Sequence, residues 1–160
     1  MDIGALMDAA EAAIRTQYPD DPIYRDELPK DFQRPSFTLE CQKDDLADAA
    51  IGLVRRTVTL LVTCYVAVDA YHDSSRDELN RRQETVMGLL AGKPLRVEDR
   101  SLTAKTGKGT GAPDYGEVTA VYSFLDSRPG YVDEDTEEES VSGVPLMEEF
   151  TMDVSTKKTC

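Results

Sequence analysis

Residues able to do chemistry are sparse in this chain, and their spacing argues against an active site. The one histidine, His72, stands between Asp69 and Asp73. A histidine beside carboxylates can act as a general base, but that needs a nucleophile and an orienting partner. The neighbouring sequence supplies neither, so His72 reads as a loop residue. Asp26, Glu27 and Asp31 could in principle hold a hard cation. No glycine-turned ligand loop surrounds them, and solvated turn carboxylates are the simpler reading. The run AKTGKGTGAPDYG at 104–116 has the glycines and lysines of a phosphate-binding loop. Its order is wrong, because GxxxxGK[ST] is absent and the run links two strand-like segments instead of opening a helix. It reads as a mobile hairpin loop. Cys41, Cys64 and Cys160 form no CxxC pair and read as reduced thiols of a cytosolic protein. The expectation is a protein with no catalysis, no metal and no cofactor.

The elements that carry these residues are arranged around RRTVTLLVTCYVAV at 55–68. Val58, Leu60, Val62, Cys64, Val66 and Val68 fall on one face, and Thr57, Thr59, Thr63 and Tyr65 on the other. This alternation predicts a half-buried central strand. At roughly 3.3 Å per residue it would span about 45 Å, well beyond a usual strand, so it should run past the subunit's own core. Upstream, Ile3, Leu6, Met7, Ala10, Ala13 and Ile14 recur at helical spacing over 3–17, with Asp2 as N-cap and Pro19 just beyond. Prolines 22, 29 and 35 then divide a short strand at 23–27, a connection at 28–34 and a second strand at 36–42. Phe37, Leu39 and Cys41 share the buried face of that second strand. The stretch 44–52, DDLADAAIG, reads as a connection.

Ser75 to Glu78 makes a capping box and opens a second helix, which Gly92 and Pro94 end. Leu79, Val86, Leu89 and Leu90 form its apolar stripe, and Arg76, Arg81 and Arg82 its exposed polar side. Two alternating segments, 95–103 and 117–125, predict an antiparallel hairpin around the 104–116 loop. The chain then changes character. DEDTEEE at 133–139 must be solvated, and the apolar return at 144–154 suggests a segment that docks on its own sheet or on a neighbour. The predicted organisation is a core at 1–130 followed by an acidic loop and docking segment at 131–160.

Length and charge bound the function. The 160 residues suffice for one domain without disulfides. No basic, apolar leader opens the chain and no apolar run approaches a membrane span, so neither secretion nor membrane insertion is expected. A net charge of −13 opposes phosphate contacts with duplex DNA. It leaves open an acidic inhibitor that mimics DNA.

The opening helix, Ile23-Tyr24, Glu27-Leu28, Phe32 and Arg34-Pro35-Ser36-Phe37 resemble the start of the tail terminator family of phages and prophages of Gram-positive bacteria. Arg56 before the long strand, Asn80 in the following helix, the hairpin after it and the closing apolar segment at 144–152 extend the resemblance over nearly the whole chain. It implies an α+β fold with one mostly antiparallel sheet and about two helices on one face, plus a long hairpin loop and an extended C-terminal segment. It further implies a homo-hexameric ring at the tail-neck junction of the virion, made in the bacterial cytoplasm. That ring would cap the tail tube, stop its growth and offer a docking surface to the head connector. It would meet the sheath protein if the tail contracts, and DNA would pass its lumen without specific binding. A head-tail adaptor is the nearest alternative. Either way the functional residues are interface residues: Lys105, Lys108 and Tyr115 of the hairpin loop, Arg76 and Arg82 of the second helix, and Pro145, Leu146, Met147 and Phe150 near the end.

Overall fold

The valine and threonine alternation does produce the central strand, β3 (Leu53–Tyr65), in a five-stranded sheet. The structure, a computed structural model, describes residues 1–132. Helix α1 (Ile3–Arg15) comes first, then β1 (Ile23–Arg25), β2 (Ser36–Ala50) and β3, followed by helix α2 (Arg76–Ala91). Two short strands, β4 (Leu95–Val97) and β5 (Arg100–Leu102), precede β6 (Ala104–Ala112) and β7 (Tyr115–Ser127). The large sheet has the order β1-β2-β3-β7-β6, and only β1 and β2 run parallel. β4 and β5 form a separate two-stranded sheet.

One face of the large sheet holds the core. Val58, Leu60, Val62 and Cys64 of β3 are fully buried with Phe37 and Leu39 of β2 and Val118, Ala120 and Tyr122 of β7. Leu6, Ala10 and Ile14 of α1 and Val86 and Leu90 of α2 close over them in the same cluster. Each large aliphatic side chain so buried stabilises the fold by roughly 1.5–3 kcal/mol. α2 seats closely on β7. The Gln83 carboxamide lies 2.7 Å from where a Cβ at Gly116 would be, and its Nε2 donates to the Glu117 carbonyl at 2.8 Å.

Four expectations change. The stretch 44–52 is not a connection: β2 continues to Ala50, pairing with β3 down to Ala50 opposite Leu53. Asp and Ala are poor strand formers, but the adjacent β3 backbone supplies the ladder and overrides their preference. The segment 104–116 is not a mobile loop. Ala104–Ala112 is an edge strand on β7, and the turn is only Pro113 and Asp114. The segment 95–103 holds β4 and β5 of the small sheet instead of one arm of that hairpin. Arg82 is not on an exposed face: it is 6 % exposed, packed against the touching rings of Tyr18 and Phe37 and paired with Asp21. The predicted boundaries also move slightly, since β3 begins at Leu53 and ends at Tyr65, with Val68 bridging Ser74 beyond it.

Candidate assembly surfaces

Where backbone hydrogen-bonding groups are left over is set by the sheet order. Among the described residues β6 pairs with β7 on one side and has no strand on the other. Its sequence, AKTGKGTGA, puts glycines at 107, 109 and 111, which bring no side chains of their own, although the Glu117 and Arg76 side chains approach Gly109 and Gly111. At the opposite border, β1 covers only Phe37 to Leu39 of β2. The rest of β2, from Lys43 to Ala50, is exposed and, among the described residues, has a strand on its β3 side alone. Such unpaired edges are templates for strand addition by another chain.

The sheet face away from the helices is the second surface. The register places Thr57 and Thr59 of β3 there, beside Thr119, Val121, Ser123 and Leu125 of β7, while Leu61 and Thr63 of the same face are buried. Hydroxyl groups dominate it, and Thr57 and Ser123 lie within hydrogen-bond distance at 3.5 Å. Lys105 of β6, opposite Val121, belongs to this face.

Two charged clusters fix the ends of the sheet. At one end Arg34 Nη1 donates to the carbonyls of Val66 (3.1 Å) and Asp114 (2.8 Å), and Nη2 to Asp114 Oδ2 (3.1 Å). Its guanidinium lies over the rings of Phe32 and Tyr65, and Tyr115 stands beside Tyr65. At the other end Arg56 grips Asp44 through Nε and Nη2, both at 2.8 Å, and donates from Nη1 to the Met1 carbonyl. Asp126 receives the Met1 ammonium at 3.3 Å and lies near Arg56 and Arg100. The two hydrogen bonds from Arg56 hold the Asp44 carboxyl below its ordinary pKa. Burial alone would raise Asp126, but the Met1 ammonium, the Ser127 N–H and Arg100 outweigh it and hold that carboxyl low.

Beyond the helices the β2–β3 hairpin carries its own apolar patch. Ile51 at the turn is 88 % exposed, and the exposed Leu53 and Tyr131 stand beside it. Gly52 takes φ +73°, the left-handed conformation a tight turn requires, and the Tyr131 ring covers it.

The predicted interface residues separate into three groups. Lys105, Lys108 and Tyr115 lie together on the β6–β7 hairpin, as strand residues, with Lys108 Nζ 3.1 Å from Glu84. Arg76 is exposed at the start of α2 and reaches Gly111 of β6, whereas Arg82 is internal and unavailable. Pro145, Leu146, Met147 and Phe150, like the acidic run at 133–139, lie outside the described residues. Sequence reasoning missed the patch at Ile51, Leu53 and Tyr131, although an isoleucine inside a glycine turn was a visible signal. His72 lies in an exposed turn at φ +65°, where Asp69 Oδ1 accepts the N–H groups of Tyr71 and Asp73. Among the described residues no group of three His, Cys, Asp or Glu side chains could hold a metal ion, and no helix is long and apolar enough to cross a membrane.

These surfaces belong to a chain whose residues 5–134 match a protein-family model described as phage tail terminator protein. No curated protein matches the chain.

Proposed function

The chain belongs to the phage tail terminator family, a structural component of the virion that works with other tail proteins, and on that premise we propose that it acts as a ring of six copies at the tail-neck junction. The ring caps the tail tube, halts its polymerisation and gives the head connector its docking surface. Where the tail contracts, the ring also meets the last sheath ring. Its role is assembly, with no catalysis and no cofactor.

The observation that supports this reading is a pair of sheet edges that no other described strand covers, β6 on one border and residues 43–50 of β2 on the other. One edge of a copy can take the other edge of the next, which is a head-to-tail contact. Such contacts close into a ring when the rotation between neighbours permits, and closure removes every open edge. The glycine-rich β6 suits close backbone approach. The net charge of −13 suits a passage for DNA, because a lumen that repels phosphates does not trap the genome.

The test is tube growth in the presence of the purified protein. Added to polymerising tube protein, it should stop elongation, so that tube length falls as its concentration rises. Unchanged tube lengths, together with binding to portal-adaptor complexes, would make it a head-tail adaptor instead.

A further inference from the structure

The apolar tip of the β2–β3 hairpin has a counterpart elsewhere on the same subunit. Between the C-terminal halves of α1 and α2 lies a groove of about 500 Å³, lined mainly by apolar surface. Gly88 and Gly92 contribute to it from α2, Ala13 from α1, and Leu89 and Pro94 line it as well. Gly88 is the telling residue. Inside a helix glycine is weaker than alanine, so its presence calls for a reason. Nothing within the described subunit gives one, because a Cβ at Gly88 would meet no atom within 4 Å. A small residue facing open space does make room for an incoming side chain.

The tip has the form to enter. Ile51 projects at the turn with Leu53 and Tyr131 beside it, and the turn is braced from behind. The Arg128 N–H donates to the Gly52 carbonyl at 2.8 Å, and its guanidinium pairs with Asp48. A braced apolar projection loses little conformational freedom on docking. Charge agrees with the pairing. Lys93 lines the groove and has no carboxylate within 4 Å among the described residues, while the Asp48 side chain, 80 % exposed, stands three residues before Ile51.

We propose that the Ile51 tip of one copy inserts into the α1–α2 groove of a second copy, over Gly88 and beside Lys93. This rests on the ring reading and adds to it a contact between sheet tip and helix layer, separate from strand pairing. The two surfaces differ, so the contact is head-to-tail and compatible with a closed ring.

Cysteine cross-linking of the full chain tests it, in a background with Cys41→Ser and Cys160→Ser. Ile51→Cys and Leu89→Cys chains, mixed and treated with a short bis-maleimide, should give a dimer that neither gives alone. Gly88→Leu, which fills the groove and improves the helix, should fold normally by circular dichroism. It should raise the concentration for half-assembly by roughly tenfold or more, as loss of a buried anchor does. A ring of normal mass with no mixed cross-link, and with Gly88→Leu assembling like the parent, would overturn the tip contact and leave the ring standing. Cross-linking of Leu89→Cys to Met147→Cys in place of Ile51→Cys would give the groove to the C-terminal segment and overturn it too. If the parent protein never assembles, the ring and the tip contact fall together.

Discussion

Asp44 and Asp126 convert the far end of the sheet into a pH-sensitive fastening, since both carboxyls titrate lower in the folded chain than in the unfolded one. Their contribution is therefore complete above the unfolded value, about pH 4, and is lost as pH falls through the folded values. Urea unfolding from pH 7 down to pH 3 should show stability dropping below about pH 4.5, with Asp44→Asn flattening part of that drop. Tyr122 offers a different check. Its ring is wholly buried, its hydroxyl finds no partner among the described residues, and burial pushes its pKa up. Tyr122→Phe should leave stability unchanged or raise it by about 1–2 kcal/mol in urea unfolding, because an unsatisfied buried hydroxyl is removed. Arg82 should behave in the opposite way. Although its Nε finds no hydrogen-bond partner among the described residues, its guanidinium packs against two rings beside Asp21, so Arg82→Ala should cost about 2–4 kcal/mol through lost packing and an unpaired carboxylate. The sequence marked Arg82 as a surface cation, since helical spacing cannot reveal that Tyr18 and Phe37 come from other elements to cover it.

At the scale of elements, the reach of β2 and β3 past the helices separates folding from assembly. Residues 43–50 of β2 are exposed and bury little, so the distal hairpin adds ladder hydrogen bonds but hardly any core. Replacing residues 49–53 by Asn-Gly, which keeps Asp48 opposite the buried Val54, should leave a folded monomer with a thermal midpoint within a few degrees of the parent. The same change should abolish oligomers in native mass spectrometry, and a full-size ring would count against any role for the tip. How far these elements were legible follows from what burial demands. β3 alternates because one face must be apolar, and both helices show stripes for the same reason, so all three could be read directly. The second half of β2 and β6 beyond the buried Ala104 face solvent or an open edge, and little burial constrains their residues. DDLADAA and AKTGKGTGA therefore read as loops, although the neighbouring strand's backbone makes them strands. The interface residues were legible only in part for the same cause, since Lys105, Lys108 and Tyr115 were marked together but as a loop.

At the scale of the whole molecule, two strand borders have no partner among the described residues, and the family makes the chain a phage tail protein. Charge is shared unevenly along it. Nine acids against two lysines in 133–160 account for 7 of the 13 net negative charges. Copies that bring those segments together must screen them, so assembly should strengthen with added salt up to about physiological ionic strength, as light scattering across a salt series would show. A fixed preference for low salt would contradict that. The most direct measurement is an electron micrograph of tail tubes grown with the purified protein present. We expect a single six-fold ring seated on one end of each tube, with a mass six times the 17.7 kDa of the chain and no tube subunits beyond it. Bare tube ends beside a chain that stays monomeric at high concentration would contradict the account.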